Sequence, residues 1–217
     1  LSEGDPLFTL TAFDPEERAT SGLEDPYARG VVIVPDLSLR ISPFGRPGVY
    51  NFGGTYSTAE YTSVDPSAWL RFPPQLTGMF PEESGSWCLY ANFYQALWVD
   101  PEDESRSWGL FGQFGISDGN PNPIRFVTNG GIAGRSMIPG REGDRFGVGY
   151  FYLGLSDEFK AVTQAVLPQQ DEYGVELFYN YAITPWCFLT GDVQFARPST
   201  VGIDPPIIAG LRLQIVL

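Results

Sequence analysis

Apolar residues recur at every second position through segments of about ten residues, and this period constrains the fold more than any other feature of the chain. The segment 31–42 shows it well. One face carries Val31, Ile33, Pro35, Leu37, Leu39 and Ile41, and the other carries Val32, Val34, Asp36, Ser38, Arg40 and Ser42. A strand separates two such sets, whereas a helix scatters them around its axis. The pattern predicts an all-β, antiparallel fold.

The same alternation predicts strands along the whole chain. The ten candidate strands are at about 7–13, 30–41, 48–61, 86–99, 107–117, 124–136, 145–155, 173–182, 186–196 and 207–217. Only 157–166 has a helical pattern.

Alternation fits either a soluble β-sandwich or a transmembrane β-barrel, because both have one apolar and one polar face. Barrel strands cross a membrane with about ten tilted residues each, so they need no long apolar run. The polar face here carries Asn, Gln, Tyr, Ser, Asp and Arg, rather than the Lys and Glu expected in bulk water. Aromatic residues such as Trp87 and Trp108 lie near strand ends, where membrane interfaces favour them. These features favour the barrel, with a soluble carbohydrate-binding sandwich as the alternative.

The connections between the predicted strands alternate between long and short. Long links are 14–29, 62–85, 156–172 and 197–206, and short ones are 42–47, 100–106, 137–144 and 183–185, with 118–123 the one poor fit. Outer-membrane barrels have long extracellular loops and short periplasmic turns. We therefore expect 62–85 and 156–172 to lie outside the cell, and Thr184-Pro185 in the periplasm.

Composition excludes several function classes. The chain has no histidine and a net charge of −13. It therefore lacks the imidazole base of serine and cysteine hydrolases, and a basic surface for nucleic acid. The acidic run 100–104 is interpreted as a solvated turn rather than a cation site. We predict no enzyme activity, no cofactor, no metal, no nucleic-acid partner and no reactive role for Cys88 or Cys187.

Several motifs, in one order along the chain, resemble the carbohydrate-selective porins of the OprB family. They are Phe44-Gly45-Arg46-Pro47-Gly48, Gly54-Thr55-Tyr56-Ser57, Ser107-Trp108-Gly109-Leu110-Phe111-Gly112, the run 114–123, Gly140-Arg141, the run 144–150, the run 174–179, Thr184-Pro185-Trp186 and Gly210-Leu211-Arg212-Leu213.

The resemblance implies a sixteen-stranded barrel in the outer membrane of a Gram-negative bacterium, through which sugars diffuse passively. Residues 1–217 are then expected to be one β-barrel porin domain, the C-terminal part of a longer barrel. The implied partners are carbohydrates, outer-membrane lipid and lipopolysaccharide, and the barrel-assembly machinery. Homotrimer formation and a non-selective general diffusion porin stay open.

A sugar-selective lumen needs polar groups that bond hydroxyls, and aromatic rings that stack on C–H faces, with binding weak enough for release. If the apolar faces contact lipid, the candidate sugar-binding side chains are those of the opposite faces. These are Asp36, Arg40, Tyr90, Asn92, Tyr94, Trp98, Glu176, Asn180, Asp192, Gln194 and Arg212. Arg40, Arg212, Glu176 and Trp98 are the preferred candidates. The alternative for each is that it only solvates the channel wall or pairs across strands.

Overall fold

A computed structural model describes residues 7–13, 30–69 and 81–216. Ten strands form one antiparallel sheet in chain order. They are β1 Leu7–Phe13, β2 Val32–Ile41, β3 Gly48–Thr62, β4 Glu82–Val99, β5 Ser107–Ser117, β6 Ile124–Arg135, β7 Arg145–Leu155, β8 Glu172–Thr184, β9 Cys187–Arg197 and β10 Ile207–Ile215.

The sheet is an open, partial barrel, since each strand pairs with its sequence neighbours and β1 and β10 are its two outer strands. The predicted all-β, antiparallel fold is confirmed, and all ten strands lie close to their predicted positions. The predicted loop 14–29 and the middle of 62–85 lie outside the described residues.

Three local predictions need correction. The strand β4 begins at Glu82 rather than 86, because a bulge between Ser57 and Glu60 lets β3 continue to pair with it. The helix predicted over 157–166 is α2, Asp157–Thr163, and Val166 and Leu167 instead bond their N–H groups back to Thr163. A short helix, α1, spans Pro66–Trp69 and was not predicted. Among the described residues, no helix is long and apolar enough to cross a membrane.

The register places apolar residues on one face across the whole sheet, which we call the apolar face. Tyr150 pairs with Val175, which pairs with Phe195, which pairs with Ile207. These side chains are exposed, as are Leu177 at 59% and Leu211 at 77%. A soluble monomer rarely exposes a contiguous apolar surface of this extent.

Buried side chains, by contrast, are small or polar. The described hydrophobic core consists only of Val32, Ala59, Ala96 and Leu155, while Asp144 and several serines are fully buried. The sheet therefore exposes its apolar face and gathers polar groups elsewhere. This is the arrangement of a protein whose outer solvent is lipid, and it argues against the sandwich alternative, which would cover that face.

The two ends of the sheet differ in their connections. At the end we call the short-link end, the links are 42–47, 100–106, 136–144 and 185–186. At the long-loop end, 156–171 and 198–206 contact each other through a bridge between Gln169 and Thr200, and Gln170 N–H donates to Ser199 C=O at 2.7 Å. These two loops are thus tied together into a rim.

Lys160, the chain's one lysine, binds α2 to this rim through an ion pair. Its Nζ lies 2.6 Å from the Asp171 carboxylate, which also accepts hydrogen bonds from Tyr152 Oη at 2.7 Å and Leu155 N–H at 3.0 Å. Burial would raise the pKa of Asp171, but the bonds from Lys160, Tyr152 and Leu155 lower it below its usual value. The carboxylate is therefore ionised at neutral pH and holds the loop on β7.

We predict that Lys160→Met loosens this loop without unfolding the sheet, because it leaves Tyr152 and Leu155 bonded to Asp171. Hydrogen–deuterium exchange should become at least several-fold faster in 156–171, and stay unchanged in β8 and β9. Glu158→Gln, on the same helix, is the matched control and should change neither region. Unchanged exchange in Lys160→Met would show that this ion pair does not hold the loop.

Candidate functional site in the polar face

The polar face lies opposite the apolar face and carries the predicted site residues. The register aligns Arg40 with Val49 and Tyr94, and it aligns Glu176 with Gln194. Alternation places ten of the eleven predicted residues on this face. The exception is Trp98.

Five of the predicted residues form side-chain hydrogen bonds within the sheet, in four pairs. Tyr90 Oη donates to Asp36 at 2.6 Å, across the space left by Gly53, and Asn51 Nδ2 donates to Asn92 Oδ1 at 2.7 Å. Tyr94 Oη lies 3.2 Å from Ser107 Oγ, and Asn180 Nδ2 donates to Thr190 Oγ1 at 2.7 Å. Such pairs stabilise the sheet. For these five residues, a wall-stabilising role accounts for the contacts seen.

The remaining polar candidates have no hydrogen bond or ion pair within the described ranges: Arg40, Glu176, Asp192, Gln194 and Arg212. The carboxylate of Asp192 lies over Gly210, where a Cβ would approach it to 2.5 Å. Glycine there leaves room for the acid to lie over β10. These side chains keep their donors and acceptors available for a solute.

Four predicted residues meet in one open cavity of about 1040 Å³ near the short-link end: Glu176, Asn180, Asp192 and Arg212. The cavity is also lined by Arg135, Arg145 and Phe178. Sequence reasoning missed the two arginines because each is a terminal residue of its strand. Continuing the alternation of β6 through Ala133, and of β7 back from Gly147, would have placed both on the polar face.

A second open cavity of about 730 Å³ contains Arg40, Trp98, Val49, Arg46 and Glu104. Trp98 requires a correction to its predicted orientation. A bulge between Ala96 and Trp98 shifts the register, so Trp98 pairs with Trp108 of the apolar face. It is out of alternation with Asn92 and Tyr94, although it still borders the cavity of Arg40.

The link 136–144 forms one wall of the larger cavity and is fixed by Asp144. This carboxylate is fully buried and accepts hydrogen bonds from Arg141 Nε at 2.8 Å, Tyr179 Oη at 2.5 Å and Ala182 N–H at 2.8 Å. Burial would raise the pKa of Asp144, but the bonds from Arg141, Tyr179 and Ala182 lower it below its usual value. Arg141 also stacks over Tyr181, 3.6 Å from the ring centroid.

An antiparallel sheet with an exposed apolar face, a polar opposite face and alternating loop lengths defines the chain as part of a porin-type β-barrel wall. Residues 14–217 match the model of the carbohydrate-selective porin, OprB family. The chain belongs to that family. Its predicted localisation, the outer membrane of Gram-negative bacteria, is confirmed, and the family is one of channels rather than enzymes.

Known relatives agree with this assignment. Porin B of Pseudomonas aeruginosa is 27% identical over 194 residues, covering 78% of this chain and 41% of that protein. The high-pH structure of Pseudomonas putida OprB superposes with a TM-score of 0.80 at 23% identity, over 97% of this chain and 55% of that one. The low-pH structure gives 0.56 at 18% identity, over 86% and 46% of the two chains. The chain thus spans about half the length of these relatives.

Proposed function

We propose that the intact protein is an outer-membrane channel for passive, selective diffusion of carbohydrates, and that these ten strands belong to one barrel domain. The observation that carries the proposal is the larger cavity, where Glu176, Asp192 and Arg212 extend from the polar face without wall partners among the described residues. Family membership supports the choice of carbohydrate as solute.

The chemistry of these side chains suits a sugar in transit. Carboxylates accept hydrogen bonds from hydroxyls, guanidinium groups donate to them, and Phe178 offers a ring for C–H contacts. The groups are spread over a wall open to water, so each contact is modest and release is fast. Such a wall slows a sugar enough to select it without trapping it.

The same proposal assigns the surroundings of the barrel. Outer-membrane lipid and lipopolysaccharide contact the apolar face, and the barrel-assembly machinery inserts the sheet. The exposed apolar face supports the lipid contact. The long-loop end is extracellular and the short-link end periplasmic, as the lengths of the links suggest.

The proposal predicts that a neutral hexose blocks ion conductance of the intact protein in a planar bilayer, because a bound sugar displaces ions and water. Glu176→Gln and Asp192→Asn each remove the carboxylate charge and replace one acceptor oxygen by an NH2 donor. They should raise the half-blocking concentration about three- to tenfold, the effect of one or two weak hydrogen bonds. Asp204→Asn, in an exposed loop between β9 and β10, is the matched control and should match wild type.

Two results would contradict the proposal. Channels that conduct ions but are not blocked by any neutral sugar would indicate a general diffusion porin. Equal block in wild type and both lumenal variants would mean that the sugar binds elsewhere.

A further inference from the structure

Three arginines of the larger cavity lie in one row across five strands. The register pairs Arg135 with Arg145, Arg145 with Asn180, Asn180 with Thr190, and Thr190 with Arg212. Neighbouring strands are about 4.8 Å apart, so Arg135 and Arg145 are about 5 Å apart at the backbone, and Arg212 is about 14 Å from Arg145. We call Arg135, Arg145 and Arg212 the arginine row.

No carboxylate forms an ion pair with the arginine row within the described residues, and Asp103 interacts with Arg135 only electrostatically, without a hydrogen bond. None of its members has a hydrogen bond or an ion pair there. By contrast, Arg106 is paired with Asp100, and Arg141 with Asp144. The row is therefore separate from the salt bridges that hold the links.

Arg135 and Arg145 are directly opposite each other on adjacent strands. Like charges in that position repel and weaken the pairing of the strands. An anion between the two guanidinium groups would replace this repulsion with charge-assisted hydrogen bonds, which arginine forms to carboxylate and phosphate with paired, parallel donors. In the neighbouring row, Ala133 and Gly147 lie beside Arg135 and Arg145, and the Phe178 ring lies over Gly147.

The carboxylates of the cavity lie on this same side of the row, toward the long-loop end. Asp192 is two residues from Thr190, and Glu176 is four residues from Asn180. At about 3.3 Å per residue these offsets are about 7 Å and 13 Å. Phe178 pairs with Asp192 and has its ring over Gly147. The cavity therefore places hydroxyl acceptors and an aromatic ring toward the long-loop end, and guanidinium groups toward the short-link end.

From this arrangement we infer that the cavity prefers an anionic carbohydrate, a sugar that carries a carboxylate or a phosphate. Its anionic group bonds the arginine row, and its hydroxyls bond Asp192 and Glu176. This inference rests on the proposed function and narrows its substrate class. Glu176 and Asp192 repel the anionic end of such a solute, so it enters the row with its charge directed toward the short-link end.

The test measures how solutes block ion conductance through the intact protein in planar bilayers. The sugars share one ring type and are glucose, glucuronate and glucose 6-phosphate. Inorganic phosphate is the anion without a sugar. In wild type, one or both charged sugars should reach half-block at a concentration at least about tenfold lower than glucose, since an added charge-assisted hydrogen bond has about that effect. Whichever charged sugar blocks better identifies the anionic group.

In Arg135→Gln/Arg145→Gln, the ratio of the half-blocking concentration of glucose to that of the better charged sugar should fall to less than about threefold. Arg197→Gln is the matched control, because Arg197 bonds Gln170 at 2.8 Å and lies 5.8 Å from the Tyr173 ring, away from the cavity. It should keep the full preference.

The outcomes separate this inference from the function on which it rests. Block by glucose with no gain from either charged group overturns the anionic preference and leaves the channel proposal intact, and so does a preference that survives in the double variant. Block by inorganic phosphate as strong as that by the charged sugars also overturns the inference, since the row would then bind anions without regard to the sugar. No block by any sugar overturns both proposals.

Discussion

Asp144→Ala is expected to lower the stability of the folded sheet by about 3 kcal/mol, because it removes the acceptor that several hydrogen bonds share, among them the charge-assisted bond from Arg141. The fully buried Asp144 carboxylate is the shared acceptor of Arg141, Tyr179 and Ala182, and thus joins the link 136–144 to β8. Thermal unfolding in detergent, followed by far-UV circular dichroism, measures the loss. Glu102→Ala, in an exposed link of the same end, is the matched control and should leave the midpoint unchanged.

The same carboxylate predicts a pH dependence. The pKa of Asp144 in the folded protein lies below its ordinary value of 3.8. Its contribution is therefore fully present above that value and is lost as the pH falls through the lower, folded pKa. Wild type should lose more stability than Asp144→Asn between about pH 6 and pH 3. Equal losses in the two proteins, or an unchanged midpoint in Asp144→Ala, would contradict the role given to Asp144.

Leu177→Arg is expected to impair insertion into lipid, because Leu177 lies midway along β8 on the apolar face. It is 59% exposed and pairs with Val148 and Val193. An arginine near the bilayer midplane costs about 2–4 kcal/mol on the lipid face of a barrel. Urea titration of the intact protein folded into lipid vesicles measures the change in folding free energy.

Gln194→Arg is the matched control for that substitution. Gln194 is on the neighbouring strand but on the polar face, where it pairs with Glu176. The same arginine there faces water and an opposite charge, so it should change the folding free energy by less than about 0.5 kcal/mol. Equal effects of the two substitutions would mean that the apolar face does not contact lipid.

Most of the fold could be predicted from the sequence because its determinants are local. The period of two fixes both the strands and their faces, and short links force neighbours to pair. The features that were not predicted depend on how a strand fits its neighbouring strand. The bulge at Trp98 arises from the fit of β4 to β5, and no alternation within β4 shows it. The longer β4 likewise follows from a bulge in β3.

The sequence predicted which residues lie on the polar face, but it did not predict which of them line one cavity. Alternation placed Glu176, Asp192 and Arg212 on the polar face, yet their convergence depends on a register that spans β8, β9 and β10. Arg135 and Arg145 were missed because strand termini are the least certain part of a pattern. Which candidates are bonded to the wall, as Tyr90 is to Asp36, is a matter of side-chain contacts that no period encodes.

Selective sugar permeation is the central claim, and liposome swelling tests it most directly. Vesicles containing the intact protein should swell several-fold faster in a neutral hexose than in a short polyethylene glycol of similar hydrodynamic radius, because only the sugar matches the hydroxyl-binding groups of the polar face. Vesicles without protein set the baseline. Equal swelling in the two solutes would contradict the account and would identify the protein as a pore that selects by size alone.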